Sequence, residues 1–162
     1  MVKITLCIRA RLENVTNLGP EDQEEFRWYL KVRCNSCGEV CDKWVYVSQT
    51  ESVPVKGGRG SANLVVKCKL CSRENNLDII PESVAQYTAD DQGKFKKIVT
   101  FDCRGIEPTD FSPRNGWQAE GAETGTRFSD IDLTEKEWAD YDEKGQTEVG
   151  IYELEHQFGR EK

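Results

Sequence analysis

Two short stretches hold the residues whose type and spacing could do chemistry: CNSC at Cys34 to Cys37 and CKLC at Cys68 to Cys71, with thirty residues between the pairs. Each CxxC can bend back so that both sulfurs meet one cation at roughly 2.3 Å, and two such pairs complete the tetrahedron that Zn²⁺ accepts. Cys34, Cys37, Cys68 and Cys71 are therefore read as the ligands of one Zn²⁺ per chain. A closed four-sulfur site is structural, because it leaves no position for water or substrate. Gly38 supports the first knuckle, since a residue free to take positive φ lets backbone N–H groups turn toward the sulfurs. Ser72 stands at the matching place after the second pair and is a poorer choice there. Lys31, Arg33, Lys67, Lys69 and Arg73 flank the pairs, and their charge offsets the excess of four thiolates over one divalent ion.

Two other chemistries use the same residues. A dithiol–disulfide enzyme needs a CxxC at a helix N-terminus beside a βαβ unit, and neither pair here opens a helical pattern. Soft thiolates could also carry zinc or Cu(I), or sense metal supply, with Cys41 as an additional thiol close to the first pair. A cysteine in such a place is more often a small packed side chain. Elsewhere the signals are weak. KGGRGSAN (Lys56 to Asn63) lacks the Gly-Lys-Ser/Thr ending of a phosphate loop and reads as a hairpin connection. The single histidine, His156, alternates with apolar neighbours and reads as a core or rim residue. No catalytic constellation emerges, and Trp28, Trp44, Trp117 and Trp138 read as core anchors.

The elements that must carry the cysteines are strands. Val2 to Leu12 alternates apolar and polar residues without a break, the pattern of a half-buried strand and not of a secretory leader. Asn17 to Pro20 and the acidic run after it read as turn and loop. Phe26, Trp28, Leu30 and Val32 form a second alternation that delivers the chain to Cys34. Lys43 to Val47 is β-rich, Leu64 to Lys67 returns the chain to Cys68, and Leu77 to Ile80 ends at Pro81. Strand, knuckle, strand, loop, strand, knuckle, strand is the layout of a zinc ribbon built into a larger sheet. Beyond a polar connection at 82–94, Ile98 to Phe101 and Tyr152 to Phe158 read as strands. Gly105 to Thr126 reads as irregular, and Thr134 to Glu137 has capping-box spacing for a helical turn. A faint echo between Leu12 to Leu18 and Ile106 to Phe111 hints at two related β halves, only the first of which keeps a metal site. The expected fold is mainly β, antiparallel, sandwich- or barrel-like. A zinc-binding half at 1–81 and an acidic half at 95–162 pack as one compact unit.

Composition sets the remaining bounds. The chain has 162 residues, 37% hydrophobic and 31% charged, and a net charge of −7. No apolar run approaches the roughly 20 residues of a membrane helix. Residues 1–80 carry 12 Lys and Arg against 10 Asp and Glu, whereas residues 81–162 carry 10 against 19. That acidic second half repels phosphate backbones and argues against nucleic acid as a partner. Seven cysteines without a secretory signal belong in a reducing, cytoplasmic setting, where Cys7, Cys41 and Cys103 remain free thiols.

The segments FRWYLKVRC, GGRGSANLVVKCKLCSREN, FDCRGIEP and WADYDEKGQTEVGIYELEHQF together resemble the eukaryotic CXXC motif-containing zinc-binding proteins over essentially the whole chain. The resemblance implies a mainly β protein binding one zinc through Cys34, Cys37, Cys68 and Cys71, with no established enzymatic activity; Cys7 and Cys41 lie outside the family's motif. The expected function is a zinc-stabilised, monomeric binding module for a protein partner, with a thiol-based metal carrier or sensor as the alternative.

Overall fold

In the computed structural model, residues 2–55 and 60–161 are described. Fourteen strands follow in chain order: β1 (Val2–Glu13), β2 (Val15–Pro20), β3 (Trp28–Cys34), β4 (Val45–Val47), β5 (Val53–Pro54), β6 (Ser61–Ala62), β7 (Leu64–Lys67), β8 (Glu74–Ile80), β9 (Lys96–Arg104), β10 (Ile106–Ser112), β11 (Trp117–Gly121), β12 (Arg127–Ile131), β13 (Trp138–Asp142) and β14 (Thr147–Arg160). Single 3-10 turns at Pro81–Ser83 and Ala89–Asp91 occupy the connection before β9. The protein is mainly β, as its alternating sequence predicts, and every pairing is antiparallel.

A six-stranded sheet in the order β13-β14-β1-β9-β8-β7 is flanked by two three-stranded sheets, β10-β3-β4 and β12-β11-β2. The hydrophobic core lies between them, where Trp28 meets Phe26, Trp117 and Phe101 at centroid distances of 4.6, 6.0 and 6.3 Å. Each of these sheets takes strands from both the cysteine-bearing and the acidic segment, so the two segments share one interior.

The strand orders have a two-fold symmetry. Exchanging β1 with β9, β2 with β10, β3 with β11, β4 with β12, β7 with β13 and β8 with β14 turns the six-stranded sheet into itself and one three-stranded sheet into the other. The kinks agree: Asn14 joins β1 to β2 at φ 58°, and Gly105 joins β9 to β10 at φ 85°. The two halves hinted at by the sequence are thus related by topology. The register differs from the sequence echo by three residues, because Val15 opposite Gly121 matches Ile106 opposite Cys34.

Three local expectations are corrected. Asn17 to Pro20 is the end of β2, where Leu18 hydrogen-bonds Tyr87 in both directions (2.8 and 2.7 Å). Much of Gly105 to Thr126 is strand, since β10 pairs with β3 and β11 with β2. Thr134 to Glu137 makes a turn and no helix: the Thr134 N–H is taken by the Asp132 carboxylate at 2.9 Å, and Lys136 sits at φ 64°, outside the helical region. Lys56 to Arg59 lie outside the described residues, but Pro54 pairs with Ser61 on either side of them as a hairpin requires.

Candidate metal centre

Strand β3 has its apolar residues on the core side and ends with Cys34 buried. The chain then reverses: Gly38, at φ 80°, donates to the Cys34 carbonyl (2.8 Å), and Cys34 donates to Glu39 (2.9 Å). Strand β7 brings Cys68 to a second reversal, closed by Ser72 N–H on the Cys68 carbonyl and Cys68 N–H on Arg73, both 2.9 Å. Ser72 takes φ 65°, so the second knuckle forms despite the less suitable residue. The tips meet. Cys34 Sγ lies 3.7 Å from Cys71 Sγ and Cys37 Sγ lies 3.5 Å from Cys68 Sγ, with all four sulfurs within 4.8 Å of one another. Four sulfurs about 2.3 Å from a common tetrahedral centre stand roughly 3.8 Å apart. The donor set therefore fits one Zn²⁺.

The electrostatics among the four thiols point the same way. Backbone N–H groups of Cys37 and Ser36 aim at the Cys34 sulfur and hold its thiol down at about 6, against the opposing effect of burial. Those of Cys71 and Leu70 lower Cys68 in the same sense. Cys37 receives a similar pull from Glu39 N–H, yet desolvation by the surrounding atoms and the neighbouring sulfurs push it up to about 12. Thiolates this close cannot all ionise without a shared counter-charge, which a divalent cation supplies.

The flanking cations are arranged more specifically than their spacing suggests. Arg73 Nη1 donates to Ser36 Oγ (2.5 Å), tying one knuckle to the other. Arg33 is engaged by Glu107 (3.0 Å), and Lys31 lies over the Trp44 ring (4.8 Å). Cys7, Cys41 and Cys103 do not join the four-sulfur cluster. Cys41 Sγ approaches the Lys43 carbonyl at 3.7 Å, and burial pushes the Cys103 thiol up to about 12. His156 is half-buried against Phe111 and Phe158, with Nε2 3.3 Å from Asp110.

Sequence reasoning missed Asn75. This buried side chain donates through Nδ2 to Cys34 Sγ at 3.5 Å, and its amide occupies the space beside Gly105 that any Cβ would need. A β8 residue thereby holds the β3 cysteine in place. Only topology brings the two together, so no local signal could have found it. Asn75→Ala should weaken zinc binding about tenfold to a hundredfold, the usual effect of losing a hydrogen bond to a metal ligand. Competition with a chromophoric chelator reads this directly, and an unchanged affinity would assign Asn75 to packing alone.

The symmetry-related position in the second half is also a junction of two chain reversals. Gly121, Thr124, Asp142 and Gly145 stand where Cys34, Cys37, Cys68 and Cys71 stand in the first half. The backbone bonds repeat: Gly125 N–H to Gly121 O (2.9 Å) matches Gly38 to Cys34, Gly121 N–H to Thr126 O (2.8 Å) matches Cys34 to Glu39, and Ala122 N–H to Asn14 O (2.9 Å) matches Asn35 to Gly105. In place of an ion, the buried Asp142 carboxylate accepts from Thr124 Oγ1 (2.5 Å), Thr126 Oγ1 (2.9 Å), Lys144 N (3.1 Å) and Gly145 N (3.2 Å). A Cβ at Gly121 would run into Thr124 Oγ1 and Asp142 Oδ2, so the room two cysteines would need is filled by this network.

Comparison with known proteins gives one consistent answer. The eukaryotic CXXC motif containing zinc binding protein family matches residues 5–159. A CXXC motif containing zinc binding protein of Bos taurus is 59% identical over 158 residues, 98% of each chain. The crystal structure of C1orf123 superimposes with a TM-score of 0.92 at 57% identity, covering 98% of this chain and 99% of that one. A hypothetical protein from Plasmodium falciparum superimposes with a TM-score of 0.87 at 28% identity, covering 98% of this chain and all of that one. The four-cysteine cluster, the antiparallel fold and these matches lead to one conclusion: the chain belongs to the eukaryotic CXXC motif containing zinc binding protein family.

Proposed function

We propose that Cys34, Cys37, Cys68 and Cys71 hold one structural Zn²⁺ and that the zinc-stabilised β scaffold acts by binding a protein partner, not by catalysis. The observation that carries this reading is the closed cage: four sulfurs within 4.8 Å of one another fill a tetrahedral ion and leave no open position. A cytoplasmic setting agrees with seven cysteines of which none is joined in a disulfide. Among the described residues, no helix is long and apolar enough to cross a membrane.

Elemental analysis with affinity capture from cytosol tests both parts. Wild-type bait should contain one zinc per chain and retain a partner that Cys68→Ser bait, lacking stoichiometric zinc, does not. Zinc-free wild-type protein of normal stability would refute the structural role.

One observation favours a metal carrier as the second reading. Cys37 and Cys71 are exposed, so one ligand of each pair is open to attack by an incoming chelator. A carrier would exchange zinc within minutes while remaining folded; a structural site holds the ion or unfolds on losing it.

A further inference from the structure

The outer side of the β10-β3-β4 sheet gathers three cations, Arg27, Lys31 and Arg114, over aromatic rings, on a chain whose net charge is −7. Trp28, Leu30 and Val32 of β3 point inward and are buried, which leaves Tyr29 and Lys31 on the outer face, continued by exposed Arg27. Together with Tyr46, Trp44 and Arg114 they form a row in which cations cover rings. The Arg27 guanidinium lies 4.6 Å from the Tyr46 ring centre, Arg114 lies 3.9 Å from Tyr29 and 5.8 Å from Trp44, and Lys31 lies 4.8 Å from Trp44. None of these three cations makes an ion pair among the described residues, whereas Arg9, Arg33, Lys96, Lys97, Arg104 and Arg160 all do.

Three of the nearby carboxylates already have partners within the chain. Glu51 accepts from the Tyr46 hydroxyl (3.1 Å), Glu107 binds Arg33 and Arg160, and Asp110 faces His156. At one end the row meets the acidic loop of Glu21, Asp22 and Glu25, where the positive stretch stops.

We propose that this face docks an acidic, extended segment of a protein partner, whose alternate carboxylates pair with Arg27, Arg114 and Lys31. The inference rests on the binding-module reading and names the chemistry of its partner. Two features select a carboxylate-bearing peptide over single-stranded nucleic acid. Base stacking needs open ring faces, and here the cations occupy them. A guanidinium held over a ring still has N–H groups to offer, and a guanidinium can grip a carboxylate through two of them. The spacing also matches: Arg27, immediately before β3, and Lys31 within it are four residues apart, about 13 Å for extended chain, with Arg114 over the intervening Tyr29. An extended peptide places every second side chain on one face about 6.6 Å apart, so carboxylates at i, i+2 and i+4 span the row.

The test uses full-length, zinc-loaded protein and three labelled probes followed by fluorescence anisotropy at low salt. They are a peptide alternating Glu with Ser, its Gln–Ser analogue and an oligodeoxythymidylate of similar length. The Glu–Ser peptide should bind, the Gln analogue should not, and R27A/K31A/R114A should weaken the peptide about tenfold or more, as three exposed ion pairs predict. Salt should weaken it further. Zinc content and melting temperature establish that the variant is folded. If it is not, the single exposed reversal Arg27→Glu carries the test, with binding weakened severalfold. Equal binding of the Gln analogue, tighter binding of the oligonucleotide, no peptide binding, or indifference to the substitutions overturns the proposal. Affinity capture that returns a partner insensitive to R27A/K31A/R114A would leave the binding-module reading standing while removing this face from it.

Discussion

Removing zinc should lower the melting temperature by about 10–20 °C, and Cys68→Ser should reproduce most of that fall without chelator. The apparent binding free energy of a structural zinc is folding free energy, on the order of 10–16 kcal/mol in small zinc-binding peptides. Even about 5 kcal/mol of that, at roughly 2–4 °C per kcal/mol for a chain of this size, gives the predicted range. The effect is large here because the ion joins reversals that strand pairing does not join. Cys34 ends β3 and Cys37 lies in the turn after it, whereas Cys68 and Cys71 lie in the turn after β7, a strand of a different sheet. Without the ion, Cys34 and Cys37 are driven in opposite directions, toward thiolate and thiol. Cys41→Ser is the control. Its sulfur lies outside the four-sulfur cluster and at the edge of the core, so Cys41→Ser should leave zinc stoichiometry at one per chain and lower the melting temperature by no more than a few degrees. Differential scanning calorimetry with metal analysis decides the matter; equal melting temperatures with and without zinc would show that the sheets alone hold the knuckles together.

The cage was legible because its signal is covalent in spacing: two residues between cysteines, a glycine after the first pair, and cations around both. The long strands were legible for a similar reason, since period-two alternation at Val2 to Leu12 and Trp28 to Val32 survives any topology. What stayed hidden depends on partners far away in sequence. Leu18 to Pro20 carries turn residues and is strand because β11 and Tyr87 supply its hydrogen bonds. Gly105 to Thr126 has loop composition and contains β10 and β11, because pairing with β3 and β2 overrides local preference. Asn75 is an ordinary strand asparagine until β8 is placed beside Cys34. The second junction was the least legible. Gly121, Thr124, Asp142 and Gly145 share no residue type with four cysteines, and only the repeated backbone hydrogen bonds reveal their correspondence.

That correspondence yields the second large effect. Asp142→Ala should lower the melting temperature by about 5–10 °C, since it strands two hydroxyls and two backbone N–H groups at a buried site. Zinc content should remain one per chain, because the cage lies at the opposite, symmetry-related position. The hydroxyl of Thr124, with help from Thr126 and the N–H groups of Gly145 and Lys144, holds the Asp142 carboxyl below its ordinary value of 3.8. A depressed folded-state value means the contribution is fully present above about pH 4 and is lost as pH falls through the folded value. Wild-type protein should therefore lose this stabilisation in acid, and Asp142→Ala, having none to lose, should show a flatter acid limb. Asp142→Asn keeps the shape, removes the charge and should fall between the two. Urea unfolding at several acidic pH values, with zinc measured in parallel, separates the two clasps: chelator acts through the first and leaves the second, whereas Asp142→Ala does the reverse. If Asp142→Ala unfolds at the wild-type temperature, strand pairing alone holds the second junction, and the carboxylate network is not the counterpart of the metal.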